Sequence, residues 1–125
     1  MDLFLFLAIK KGDWMDDTRK AAIRIIQWYI RELQRQACCE WQERLLAQTY
    51  YSKIAAVKLL QSIKTNKSLS PLTIVENFGD KMNRYACMND FNTTMFSIQA
   101  DAAEFILDEI VVYKERRKSK WTNQN

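Results

Sequence analysis

The sequence predicts an all-α protein, and three observations support this prediction. The 125 residues include only two Gly and one Pro, too few for a sheet protein with many tight turns. Apolar residues recur three and four positions apart, while alternation with a period of two is almost absent. Residues 14–64 contain neither Gly nor Pro, so nothing in the backbone demands a break there. We therefore expect residues 1–125 to form one domain that resembles a helical bundle.

The first element is a short helix over residues 1–12. Asp2 suits its N-cap, and Gly12 suits the position after its last turn, where a left-handed backbone is common. The apolar run at residues 1–9 is too short to span a bilayer, and its flanking charges are the reverse of those in a signal peptide. We expect a buried helix. An interfacial membrane anchor is the alternative, which the lack of a polar face disfavours.

The longest element is a helix over residues 14–64. Its apolar stripe consists of Ile23, Ile26, Ile30, Leu33, Ala37 and Trp41. An unbroken helix of this length would measure about 76 Å, far more than the diameter of a globule of this size. We therefore expect a break or kink near Tyr50, where aromatic and β-branched residues lower helix propensity. The alternative is that the helix continues and is covered by a second subunit.

The C-terminal half predicts a helical hairpin. Residues 65–70 are a polar connector that ends in Ser70, a good N-cap, followed by Pro71 at the first helical position. Residues 71–118 then form two antiparallel helices, the second capped by Thr93 or Thr94, and residues 119–125 form a basic and polar tail. Gly79 costs its helix about 1 kcal/mol relative to Ala, and we attribute its presence to the close approach of another helix.

Charge is distributed unevenly along the chain. Residues 1–64 contain 11 Lys and Arg against 7 Asp and Glu, residues 65–113 contain 3 against 7, and residues 114–125 contain 5 against 1. The long helix carries a cationic stripe that consists of Lys20, Arg24, Arg31 and Arg35. The last helix carries an acidic exterior that includes Asp101, Glu104 and Asp108. The stripe either pairs with these carboxylates or faces a polyanion, and we favour internal pairing.

The composition argues against most kinds of catalytic site and metal site. The chain has no His, which removes the commonest general base and metal ligand, and its two Gly cannot build a phosphate-binding loop. Cys38, Cys39 and Cys87 form neither a disulfide framework nor a zinc motif, which favours a reduced, cytoplasmic protein. We expect no enzymatic activity, no cofactor and no metal.

These features favour a non-enzymatic module that binds a protein partner, such as a small helical regulator, adaptor or inhibitor of the kind that phages and mobile elements encode. A homodimer is a further expectation, because the long helix is apolar around much of its girth. The alternative is a nucleic-acid-binding protein that uses the cationic stripe and the basic tail. The candidate interaction residues are Lys20, Arg24, Arg31, Arg35, Trp28, Trp41, Arg116, Arg117 and Lys118.

Overall fold

The computed structural model describes the backbone of residues 3–39, 43–88 and 92–123, and the side chains of residues 17–38, 45–88 and 92–117. Within these ranges the chain forms four helices and no strand, which confirms the predicted all-α class. The helices are α1 (Leu3–Cys39), α2 (Glu43–Thr65), α3 (Pro71–Met88) and α4 (Thr93–Asn123).

Helix α1 joins two elements that the sequence pattern separates. It runs from Leu3 to Cys39 without ending at Gly12, where we expected the short N-terminal helix to stop. Gly12 does not adopt the left-handed conformation that a glycine after a helix end would have. A helical glycine costs only about 1 kcal/mol relative to Ala, and no proline follows it to stop the helix. The predicted burial of residues 1–9 falls on side chains outside those described.

The structure divides the predicted long helix into two helices, and no break lies near Tyr50. Helix α1 ends at Cys39 and α2 begins at Glu43, whereas α2 is helical throughout the stretch that we expected to break. Low-propensity residues cost less than about 0.7 kcal/mol each, which is too little to end a helix. The hydroxyl of Thr49 donates to the carbonyl of Leu45 at 2.8 Å within the helix.

The core lies where α1, α2, α3 and α4 meet. Its largest fully buried side chains are Ile26, Leu59, Ile63, Val75, Ile106 and Ile110. Buried alanines, including Ala22, Ala56 and Ala103, lie among them and allow the helix backbones to come close. Each fully buried Ile or Leu contributes about 1.5–3 kcal/mol relative to an exposed one, so this cluster is the main source of stability.

The connector between α2 and α3 is tied down by polar contacts. Arg19 is buried, and its guanidinium donates to the carbonyl oxygens of Ile63, Asn66 and Leu69. The hydroxyl of Ser70 accepts a hydrogen bond from the backbone N–H of the residue three positions later at 3.2 Å. This contact confirms the N-cap predicted from the sequence. Since Arg19 reaches the last turn of α2 from the first half of α1, the two helices run antiparallel.

Helices α3 and α4 form the predicted hairpin. The rings of Tyr85 and Phe96 lie with their centroids 5.3 Å apart near its closed end. The first helical hydrogen bond of α4 runs to the carbonyl of Asn92, so the helix starts slightly earlier than expected. A Cβ built on Gly79 would lie 3.5 Å from the Cβ of Ala103, which is an ordinary van der Waals distance, so α4 packs against α3 there without requiring a glycine.

Candidate functional site

The cationic stripe lies on the exposed side of α1. Lys20, Arg24, Arg31 and Arg35 are all exposed. Arg35 forms an ion pair with Glu32, one turn away on the same helix, at 3.1 Å. Among the side chains that the structure describes, no carboxylate forms an ion pair with the other three cations. These three charges therefore face solvent within the described part of the chain.

The internal pairing that we favoured is not formed in the described ranges. Asp101, Glu104 and Asp108 are exposed on α4, and none of the described ion pairs joins them to the stripe. The reason is geometric. Helix α1 meets α4 through the rings of Tyr29 and Phe105, whereas the stripe lies on another side of α1.

Trp28 adds an aromatic side chain to the edge of the stripe. It is 46% exposed and lies one turn from both Arg24 and Arg31. Trp and Arg are the residues most enriched at the energetic centres of protein interfaces. Trp41 lies outside the described residues, so its role stays a prediction.

The C-terminal cations do not act as one group. Arg116 is exposed, whereas Arg117 donates to Asp17 at 2.7 Å and joins the end of α4 to α1. The hydrogen bond that Arg117 donates to Asp17 raises the pKa of Arg117 above its usual value. The side chain of Lys118 lies outside the described residues. Of the three predicted tail contacts, Arg117 therefore has a structural role, which the sequence analysis did not foresee.

A cleft opens between α1 and α2, and we call it the α1/α2 cleft. Its volume is about 490 Å³, and Leu33 and Gln34 of α1 face Leu46, Tyr50 and Lys53 of α2 across it. Leu46 is 37% exposed and Tyr50 is 61% exposed, so the rim presents apolar surface to solvent. A concave, mainly apolar opening of this kind is suited to receive apolar side chains of another molecule.

A second cleft of about 430 Å³ lies where α1, α2 and α4 meet. Its floor contains the ring of Tyr29, stacked on Phe105 with centroids 5.1 Å apart. Burial raises the pKa of Tyr29, the hydrogen bond with Ser52 lowers it, and the nearby charge of Asp101 raises it, with a net increase. The neutral phenol is therefore the form that this site stabilises.

A third groove, between α3 and α4, is acidic. It has a volume of about 320 Å³, and Glu76, Asp80, Asp101 and Glu104 contribute to its walls. Within the described residues, no three or more carboxylates or thiols are grouped so that they could hold a metal ion. The groove is thus a negatively charged surface without a described metal site.

The sequence analysis did not predict the role of Arg19, which donates three hydrogen bonds to carbonyl oxygens. Arg19 was not singled out, although its position carries a signal. Steps of three and four residues place it in line with Ile26, Ile30 and Ala37, on the apolar stripe and away from the cations. A charged residue in an apolar stripe must find polar partners when it is buried, and here the partners are carbonyl oxygens.

Comparison with known proteins gives no family and no relative. No protein-family model, curated protein or solved structure matches the chain. Among the described helices, none has an apolar stretch long enough to cross a membrane.

Proposed function

We propose that this chain is a non-enzymatic protein-binding module, a small helical regulator, adaptor or inhibitor whose α1/α2 cleft receives an apolar segment of a protein partner. The α1/α2 cleft carries this proposal, because it combines a volume of about 490 Å³ with exposed Leu46 and Tyr50 at its rim. Contiguous exposed apolar surface on a small protein commonly marks a binding site.

The charges around the cleft indicate the chemistry of the partner. Lys53 lies in the wall of the cleft, beside the exposed apolar rim formed by Leu46 and Tyr50. An amphipathic helix with an apolar ridge and flanking carboxylates would match both features. Helix-in-groove binding of this kind places apolar anchors in the groove and charges along the rim.

Capture from the native host would identify the partner. The full chain serves as bait in lysates with and without nuclease, and mass spectrometry identifies bound proteins. A partner retained after nuclease treatment is then purified, and its affinity for the chain is measured by calorimetry. Direct binding by the purified partner is the expected result. Loss of every captured protein after nuclease treatment would contradict the proposal.

Matched variants test whether the α1/α2 cleft is the site. Replacing Leu46 and Tyr50 together by Ala removes the apolar rim, and we expect at least about tenfold weaker binding of the purified partner. Val57→Ala is the control, because Val57 is also exposed on α2 but does not line the cleft. Equal effects of the double variant and the control would mean that the partner binds elsewhere.

Nucleic acid is the second candidate partner, and the exposed cations favour it. Lys20, Arg24 and Arg31 have no ion-pair partner among the described side chains. If all three contact phosphates, the logarithm of the affinity for duplex DNA should fall against the logarithm of salt concentration with a slope of about −3. Reversing Arg24 and Arg31 to Glu should then weaken binding to every sequence alike. Duplex binding that is absent at physiological salt would exclude this candidate.

A further inference from the structure

We propose that the outer surface formed by α1 and α4 is a self-association face, on which a second copy of this chain docks. We call it the α1/α4 face. Its exposed residues include Arg24, Trp28 and Arg31 on α1, and Asp101, Phe105, Asp108 and Val112 on α4. The inference goes beyond the proposed function, because it uses the outer, exposed side of α1 and α4 and leaves the α1/α2 cleft open.

Two contacts fix how α1 and α4 lie against each other. Asp17 pairs with Arg117, and Tyr29 stacks on Phe105. Residues 17 and 29 are twelve positions apart in α1, and residues 105 and 117 are twelve positions apart in α4. The helices are therefore antiparallel and in register between these contacts, so each step forward along α1 is one step back along α4.

The face has a basic half and an acidic half. Along it α1 exposes Arg24 and Arg31, and α4 exposes Asp101 and Asp108. A two-fold axis that runs along the seam between the helices lays α1 of each copy over α4 of the other. The perpendicular choice of axis would lay α1 over α1 and oppose like charges. Only the first arrangement is electrostatically favourable, and it closes as a dimer.

The spacing of the charges matches in this arrangement. Arg24 and Arg31 are seven residues apart, as are Asp101 and Asp108, which corresponds to about 10.5 Å along either helix. In the register given by the two contacts, Arg24 is level with position 110 and Arg31 with position 103. Each arginine is therefore about two residues, or about 3 Å, from the level of an aspartate in the second copy.

The centre of the face is apolar. Trp28 and Phe105 are exposed at the same level on neighbouring helices, and Val112 is exposed about two turns further along α4. Pairing across the axis would cover these side chains from both copies. The strip from residue 20 to residue 35 is about 22 Å long and two helices wide, which is near the lower size limit of specific interfaces. We therefore expect a dimer with a micromolar dissociation constant.

A charge swap tests the proposal directly. Variant A carries Arg24→Glu and Arg31→Glu, and variant B carries Asp101→Lys and Asp108→Lys. Each variant alone opposes like charges across the axis and should sediment as a monomer at about 100 μM protein and low salt, whereas the wild type should sediment as a dimer. An equimolar mixture of A and B restores both pairings, so the dimer should return.

Controls separate this face from the α1/α2 cleft. Circular dichroism establishes that A and B are folded, and Trp28→Ala should weaken the wild-type dimer at least about tenfold. Leu46→Ala with Tyr50→Ala should leave the dimer intact, so loss of partner binding and loss of the dimer are distinguishable. A wild type that stays monomeric at low salt, or a mixture of folded A and B that stays monomeric, would overturn the proposal.

Discussion

The two ends of the helical bundle differ in how polar groups organise them. At one end, which we call the Arg19 end, the buried guanidinium of Arg19 holds the carbonyls of the α2–α3 connector, and Arg117 pairs with Asp17. At the other, the Tyr50 end, α1 and α2 leave the α1/α2 cleft between them, with Leu46 and Tyr50 exposed.

This difference separates stability from recognition. Ile63 at the Arg19 end is fully buried, whereas Leu46 at the Tyr50 end retains a substantial exposed area. Apolar area that is already buried stabilises the folded chain, while apolar area left exposed is available to a partner. We therefore expect substitutions at the Arg19 end to affect unfolding, and substitutions at the Tyr50 end to affect binding.

The largest expected effect comes from truncating a core residue. Ile63→Ala should lower the free energy of unfolding by about 2–5 kcal/mol, because the side chain is fully buried and its removal leaves a cavity. Leu46→Ala is the matched substitution at the Tyr50 end and should cost less than about 1 kcal/mol. Urea unfolding followed by circular dichroism measures both. Similar losses would remove the distinction between the two ends.

Arg19→Met should have the next largest effect. Methionine keeps an unbranched apolar stem but removes the donors to Ile63, Asn66 and Leu69. Each hydrogen bond from a charged group contributes about 1.5–3 kcal/mol to stability. Part of this loss is offset, because the variant no longer buries a charge. We expect a net loss of about 2–3 kcal/mol in urea unfolding. Lys20→Met, at an exposed neighbour, should change stability by less than about 0.5 kcal/mol. A loss no larger than that of Lys20→Met would show that Arg19 does not anchor the connector.

Tyr29 lies between the two ends and makes the stability of the fold depend on pH. Its pKa in the folded chain is raised above the ordinary value of 10.0, mainly by burial. Because Tyr29 ionises at a lower pH in the unfolded chain than in the folded chain, the raised pKa stabilises the folded chain. This stabilisation is complete below pH 10.0 and is lost as pH rises through the pKa of the folded chain. Tyr29→Phe removes the ionisable hydroxyl and keeps the ring that stacks on Phe105.

The alkaline comparison sharpens this prediction. Urea unfolding at neutral pH and above pH 10.0 should show that Tyr29→Phe loses less stability with rising pH than the wild type. Tyr50→Phe changes an exposed ring and should retain the wild-type pH profile. Identical alkaline losses in wild type and Tyr29→Phe would contradict the raised pKa of the phenol.

Gly79→Ala should have the smallest effect and the opposite sign. The added Cβ would meet Ala103 at 3.5 Å, an ordinary van der Waals distance, and Gly79 has no positive φ. Since Ala favours a helix over Gly by about 1 kcal/mol, we expect stabilisation by about 0.5–1 kcal/mol in urea unfolding. Destabilisation would indicate that α3 and α4 lie closer than the structure has them, as the sequence analysis supposed.

The sequence by itself determined the features that depend on neighbouring residues. Helical periodicity gave the all-α class and the buried position of Ile26, and the Ser70 and Pro71 pair gave the start of α3. These features are local, because a helix forms its hydrogen bonds within four residues and a cap within three. The exposed position of the cationic stripe followed from the same periodicity.

Only the tertiary structure decided where the chain reverses and what each helix meets. The burial of Arg19 and the register of α1 against α4 depend on residues 44 to 100 positions apart. Propensity differences of a few tenths of a kcal/mol near Tyr50 are too small to end a helix. Packing, by contrast, acts between side chains that the sequence does not place together. The clefts between the helices follow from that packing.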